Sequence, residues 1–487
     1  MGRCWCWQLR TRQPRRILRG CDGSRNTNTG RTAGRASVWP QLGKRTRGSA
    51  PLRQMMPHDT SREDPEQPPK GLTRREAIQY GLAGAAGLGV LGAVAWQMIR
   101  SAREMSVSGV FKGDAPTGEL WELWRKRGWA KEAYHYLKVG RNVQCNLCPN
   151  NCLLEPDDRG HCRNRVNKDG TLYTLAYGNP CALHVDPIEK KPLFHFLPGT
   201  RSFSLATAGC VLRCLNCQNW DISQRTPEQT KDPRGPELRL RPPVGPLTQA
   251  DLARASAFPE DLVALAAVTG SQSIAYTYSE PIAFYEYTFD TCKLARAAGI
   301  KNVLVTSGSI QEPALRDLAR HLDAAHLDLK GYDAAVYRRL NAAHLGVILN
   351  TIKTLRDLGI WFEVINLVVP TYTDDMGNIA RMCDWLVNEA GPDVPLHFSR
   401  FHPQHKLTHL PPTPAATLVQ ARDIARRAGL RYVYIGNIRD IPDAETTFCP
   451  GCKKPVIVRD IYAISRFDLV NGRCRHCQSK IPGVWAS

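Results

Sequence analysis

This sequence predicts an α/β fold: a partial parallel barrel of six or seven β/α units with a small cysteine-rich module at each flank. Three observations lead there. Short apolar, β-branched runs alternate with amphipathic helical stretches through the middle of the chain. Polar and ionisable residues gather where those runs end. Eleven of the 17 cysteines fall into three tight clusters, one ahead of the alternating region, one after its first run and one behind it. With 43% hydrophobic and 23% charged residues over 487 positions, most of the chain lies outside the collagen-like, disordered and multi-span membrane classes.

From the N-terminus, the net charge of +20 would suggest a polyanionic partner. Most of it sits in residues 1–56, where 13 Lys and Arg face a single acid, Asp22. The remainder has no charge excess that demands nucleic acid. Residues 1–55 read as a disordered basic arm or as sequence upstream of a start at Met55 or Met56. Residues 56–110 read as a twin-arginine-like signal or a membrane anchor. Arg74 and Arg75 precede a Gly/Ala/Leu run over 80–99, and Ala93-Val94-Ala95 offers a small-residue cleavage site. Cleaved, the segment exports a folded protein; uncleaved, it tethers a cytoplasmic body to the membrane.

Residues 111–195 combine a linker helix and the first cysteine module. Leu120, Leu123, Trp124, Trp129 and Tyr136 keep helical spacing, which predicts a helix over 119–138. Cys145, Cys148, Cys152 and Cys162 follow, with Pro149 and Gly160 supplying turns. Zinc and an auxiliary iron–sulfur cluster both suit this four-ligand set.

Residues 196–440 form the barrel. Strands are expected over 201–207, 273–278, 302–306, 325–329, 361–369, 396–401 and 432–435, and helices over 259–268, 282–298, 313–321, 345–358, 378–390 and 414–428. A doubly wound open sheet is the second fit. The Pro-rich, charged stretch 226–247 reads as a long surface loop. In residues 441–487, Cys449, Cys452, Cys474 and Cys477 make a closed four-thiolate set that suits structural zinc, with a rubredoxin-like iron or a further cluster as alternatives. Cys181, Cys292 and Cys383 stand alone, and the last two read as small buried hydrophobes in helices.

The functional face of such a barrel lies where strands end. Cys210, Cys214 and Cys217 follow the first strand, Ser279 and Glu280 the second, and Thr306 and Ser307 end the third. Asp328 and Lys330 end the fourth, Asn366 lies in the fifth, and His397, Arg400 and His402 belong to the sixth. The central C-x3-C-x2-C array has three thiols and no obvious fourth. Structural zinc takes four protein ligands, whereas three thiolates on a cuboidal iron–sulfur cluster leave one iron open.

With these residues in place, the chain resembles the radical S-adenosylmethionine superfamily. More narrowly, ALHVDPIEKKPLFHFL (182–197), CLNCQNWDISQ (214–224), YTYSEP (276–281) and LHFSRFHP (396–403) look like the AmmeMemoRadiSam-system enzymes, relatives of pyruvate formate-lyase activating enzyme. The resemblance covers roughly 140–487. It implies a partial (β/α)6-type barrel of the radical SAM kind, with a 4Fe-4S cluster on Cys210, Cys214 and Cys217. It further implies S-adenosylmethionine on the open iron and reductive cleavage to a 5′-deoxyadenosyl radical that abstracts hydrogen from an unidentified substrate. By the same resemblance Ser279 and Glu280 approach the methionine ammonium, Asp328 and Lys330 contact ribose and carboxylate, and Arg400 and His402 line the same mouth. Relatives carry an aromatic residue just before the third cysteine. Here it is Asn216, so Asn216 or Trp220 takes over at the adenine.

The resemblance also implies a one-electron donor such as flavodoxin or ferredoxin, and Memo-like and AMMECR-like partner proteins. A different class, a non-catalytic iron–sulfur electron-transfer or metal-binding protein, would cap every iron with protein ligands. Nucleic-acid binding through Arg473, Arg475, His476 and Lys480 ranks last, because the patch is modest.

Overall fold

The computed structural model describes residues 113–485; the basic arm and the targeting segment expected upstream lie outside the described residues. No helix among the described residues is long and apolar enough to cross a membrane.

The centre is an eight-stranded sheet. Its strands are β1 (Ala182–Pro187), β2 (Arg201–Ala206), β3 (Ser273–Tyr276), β4 (Lys301–Thr306), β5 (Ala324–Asp328), β6 (Trp361–Val368), β7 (Leu396–Arg400) and β8 (Val433–Gly436). They pair in chain order from β1 to β8. β2 to β8 are parallel, and β1 is antiparallel on the β2 edge. Consecutive adjacency separates this sheet from the doubly wound alternative, in which strand order reverses at a switch point. Among the described residues no ladder joins β8 to β1, so the sheet is open at both edges, as a partial barrel would require.

The crossovers carry helices α1 (Pro259–Val268), α2 (Tyr285–Ala297), α3 (Glu312–Ala319), α4 (Ala334–Asn341), α5 (Leu345–Asp357), α6 (Met376–Ala390) and α7 (Ala415–Ala428). Alternate strand residues set the layers. Phe203, Leu205, Ile274, Leu304, Leu327, Val364, Leu396 and Phe398 join Leu262, Leu315, Ile352, Leu386 and Leu418 of the helices in the main core. The other parity, including Ala275, Val303 and Ala324, meets Ile188, Leu193 and Phe196 of the segment before β2. That segment closes the base. Phe194 N and His195 N donate to the Glu363 carboxylate of β6 at 3.0 and 2.7 Å.

Small modules flank the sheet. On the N-terminal side, a five-stranded and a three-stranded antiparallel sheet carry the first cysteine set. The linker helix is shorter than expected, covering Gly118–Lys126. Gly128, at φ 67°, turns the chain. Trp129 then packs edge-on against Trp124, centroids 5.1 Å apart, so apolar spacing continued where the helix did not. The stretch 226–247 is more than a surface loop. Leu238–Arg239 pairs with Ala255–Ser256, Leu240 is buried, and buried Lys231 donates to the Ala255 carbonyl at 2.8 Å. On the C-terminal side, Thr447–Phe448, Pro455–Asp460 and Ala463–Phe467 form an antiparallel sheet sharing a core with Phe194, Tyr432 and Tyr434.

Candidate functional site

The loop after β2 is locked from several sides. Cys210 N donates to the Cys162 carbonyl at 3.2 Å, Arg213 N to Asn341 O at 3.0 Å and Leu215 N to Leu340 O at 2.8 Å. Arg213 turns its guanidinium back onto the carbonyls of Cys210 (2.9 Å) and Leu212 (2.8 Å). Loop carbonyls and amides thus find partners in the C-terminal end of α4 and in the N-terminal cysteine module.

Each of the three sulfurs has a hydrogen-bonding neighbour. Leu212 N donates to Cys210 Sγ at 3.4 Å, Asn341 Nδ2 donates to Cys214 Sγ at 3.4 Å, and Ser223 Oγ lies 3.2 Å from Cys217 Sγ. Burial raises all three thiols. Cys214 is pushed up to about 11, with Lys330 pulling the other way, and the nearby Glu280 charge lifts Cys210 further. Thiolates here therefore need a cation to hold them, as metal loading with proton release provides.

Two charged groups, just beyond the ends of β3 and β5, face this loop. Glu280 is buried and takes hydrogen bonds from Thr306 Oγ1 and from Ser307 N (2.9 Å); burial raises its pKa against those bonds. Lys330 Nζ reaches Asp328 Oδ2 at 2.6 Å, and His326 Nε2 lies 3.2 Å from Asp328 Oδ1. Burial opposes the Lys330 charge, but Asp328 and the Cys214 sulfur outweigh it and keep Lys330 above the ordinary lysine value. Asp328 is held below the carboxylate range by Lys330 and His326 despite burial. The result is a set of fixed charges of both signs beside the cysteine loop.

The other expected site residues divide. Ser279 spends its hydroxyl on the Thr207 carbonyl at 2.7 Å. Asn216 is buried, and its Oδ1 has no hydrogen-bond partner among the described residues. Trp220 is exposed and stacks on His405. Arg400 Nε donates to Thr413 O at 2.9 Å, and His402 contacts Asn437 O at 3.1 Å, so both are engaged away from the cysteine loop. Sequence reasoning missed Asn341, Ser223 and His326. Of these, His326 carried a signal, since it shares strand parity with Asp328.

The two flanking sets also converge. Cys449, Cys452, Cys474 and Cys477 place all their sulfurs within 4.8 Å of one another. Cys145, Cys148, Cys152 and Cys162 line one cavity.

With this geometry in hand, comparison with known proteins is informative. Residues 204–383 match the family profile described as the Radical SAM superfamily, a span running from β2 into α6. The chain is also 42% identical over 354 residues to the uncharacterized protein MJ0808 of Methanocaldococcus jannaschii, covering 72% of this chain and 98% of that protein. The chain belongs to the radical SAM superfamily. Within it, the chain is related to activating enzymes: it is 26% identical over 198 residues to pyruvate formate-lyase-activating enzyme of Staphylococcus aureus, covering 39% of this chain and 70% of that enzyme. Among solved structures, a domain of pyruvate-formate lyase-activating enzyme from Bacteroides vulgatus matches at 17% identity and a TM-score of 0.30, covering 34% of this chain and 99% of that one. Membership of the superfamily implies an enzyme of radical chemistry, with an iron–sulfur cluster, S-adenosylmethionine and a one-electron donor.

Proposed function

We propose that Cys210, Cys214 and Cys217 hold a 4Fe-4S cluster at whose open iron S-adenosylmethionine binds, and that this chain is an activating-enzyme-like radical initiator. The observation that carries the reading is the three-thiol loop after the first parallel strand, with Glu280 and Lys330 facing it from beyond the ends of β3 and β5. Three soft donors on one loop, each with a hydrogen-bonding neighbour, suit a cluster with one uncapped iron. When bound, the cluster and cosubstrate supply one-electron reductive cleavage to a 5′-deoxyadenosyl radical.

The chain's own residues bind and orient. Glu280, fixed by Thr306 and Ser307, presents a carboxylate to the methionine ammonium, with Ser279 beside it. Lys330 and Asp328 contact the cosubstrate carboxylate and ribose. The unpartnered Asn216 Oδ1 is an acceptor for the adenine amino group, whereas Trp220 is occupied by His405. Arg400 and His402 hold the outer loops through Thr413 and Asn437. At the C-terminal flank the four sulfurs are spaced for one tetrahedral ion, and zinc is the expected occupant.

The test is anaerobic. The full-length chain is reconstituted with iron and sulfide, reduced, given S-adenosylmethionine, and assayed for 5′-deoxyadenosine. Product that falls to background in Cys214→Ala supports the reading, and no product from a fully reducible cluster overturns it. A flavodoxin or ferredoxin serves as the physiological donor, and Memo-like and AMMECR-like proteins are the expected partners, with co-purification as the check. For location, residues 56–110 fused to a reporter active on one side of the membrane distinguish export from a cytoplasmic tether.

A further inference from the structure

The two four-cysteine sets are built differently. At the C-terminal flank Cys449 Sγ lies 3.4 Å from Cys477 Sγ, and Cys452 Sγ lies 3.7 Å from Cys474 Sγ. A tetrahedral ion with metal–sulfur bonds of about 2.3 Å spaces its ligands about 3.8 Å apart, so that set closes on a point. Among the described residues it is the set whose ligand atoms all fall within 4.8 Å of one another. The N-terminal set surrounds a volume instead. Cys145, Cys148, Cys152 and Cys162 line one cavity, and their sulfurs do not draw within 4.8 Å of one another as those of the C-terminal set do.

The cavity wall suits a sulfur-rich cofactor. Leu147, Leu154 and Val211 keep one side apolar. On another side, Arg165 is fully buried against Glu286 and donates Nη1 to Cys145 Sγ at 3.4 Å. An N–H aimed at sulfur favours a ligand that carries negative charge. The cavity also abuts the central loop. Val211, which lines it, follows Cys210 directly, Asn150 Nδ2 donates to Val211 O at 3.0 Å, and Cys210 N donates to Cys162 O at 3.2 Å.

We propose that this cavity is a second iron–sulfur site, ligated by Cys145, Cys148, Cys152 and Cys162 and in backbone contact with the central cysteine loop through Cys162 and Cys210. Four protein thiolates cap every iron of a cuboidal cluster, so this centre carries electrons and leaves substrate binding to the three-thiol site. The site rests on its own four cysteines and does not require the radical reading.

The test counts iron and acid-labile sulfide in the full-length chain after anaerobic reconstitution, with Mössbauer spectroscopy to type the iron. The wild type is expected to bind about eight irons and the C210A/C214A/C217A variant about four, still as a cuboidal cluster. A triple variant without a cluster overturns the proposal, as does zinc in the N-terminal set. Cys148→Ala with Cys162→Ala should leave about four irons at the central loop; if that variant fails to fold, the triple variant carries the test alone. In the reduced wild type, the electron paramagnetic resonance spectrum should show spin coupling absent from the sum of the two variants, and an additive spectrum overturns the contact between the centres. Failure of the radical reading would show separately, as wild type with clusters but without 5′-deoxyadenosine.

Discussion

At the scale of single residues, the proposed function divides the site into groups that would bind the cosubstrate and groups that would tune the metal. Glu280 is the clearest of the first kind: its carboxylate is buried and oriented by Thr306 and Ser307. Glu280→Gln keeps the shape and removes the charge that would meet an ammonium, so S-adenosylmethionine affinity should fall at least about tenfold, the equivalent of roughly 1.4 kcal/mol. Cluster content should stay unchanged. Equal affinity in isothermal titration would remove Glu280 from the ammonium site. Asn341 is of the second kind, since its amide reaches Cys214 Sγ at 3.4 Å. Hydrogen bonds to cluster sulfurs help set the reduction potential, and losing one removes a partial positive charge that favours the reduced state. Asn341→Leu should therefore shift the central cluster's potential negative in a redox titration, and an unmoved midpoint would show that the contact is only structural. Glu280 was legible in the sequence because it follows a strand end; Asn341 was not, because a lone Asn in a helix gives no sign of pointing at a cysteine 127 residues away.

At the scale of elements, runs of β-branched and apolar residues identified all seven parallel strands, because buried parallel strands are apolar on both faces. β1 went unseen: as an antiparallel edge its pattern is half exposed and lacks a continuous apolar run. α4 went unseen too, since its eight residues give too few turns for a period, although Asp333 caps it by accepting from Ala335 N and Val336 N. The loop that matters most depends on Gly209. A Cβ there would stand 2.4 Å from Asn164 Oδ1 and 2.5 Å from the Cys162 carbonyl, at φ 89°. Asn164 cannot yield, because its amide already donates to Ala208 O (2.7 Å) and Ala283 O (3.0 Å). Gly209→Ala should cost about 2–4 kcal/mol in urea denaturation, combining backbone strain with overpacking, and should lower cluster occupancy. Gly299→Ala, at φ 76° with open space around it, should cost only about 1 kcal/mol. Similar losses in the two variants would mean that the Cys162–Asn164 wall is soft.

At the scale of the whole molecule, the base of the barrel and the C-terminal module are one polar network, which no local pattern could reveal because its members come from four distant stretches. His195 is fully buried, with Nδ1 2.7 Å from Pro482 O and Nε2 2.7 Å from Tyr434 Oη; Tyr434 Oη lies 2.8 Å from Thr447 Oγ1, and Arg459 donates to Phe194 O at 2.7 Å. A carbonyl at Nδ1 makes that nitrogen the donor, and in the neutral ring Nε2 then accepts from Tyr434. Burial then holds the His195 pKa down to about 4, from 6.5. The sign follows from linkage. In the unfolded chain the ring takes a proton near pH 6.5, while in the fold it resists until about pH 4. Its contribution is thus intact above 6.5 and is lost as pH falls from 6.5 towards 4, at about 1.4 kcal/mol per pH unit and roughly 3 kcal/mol in all. Glu363, held down to about 2, acts in a lower window: its contribution is present above 4.5 and lost as pH falls towards 2. Between pH 6.5 and 4.5 buried histidines lower stability as pH falls, while Glu445, pushed up to about 7 by burial, acts in the opposite direction, so the comparison of variants isolates His195. Urea denaturation across that range should show wild type losing stability faster than His195→Gln by about one proton's worth of slope, although the variant starts less stable at pH 7. Parallel slopes would mean that His195 charges within the fold, and that the base of the barrel admits water.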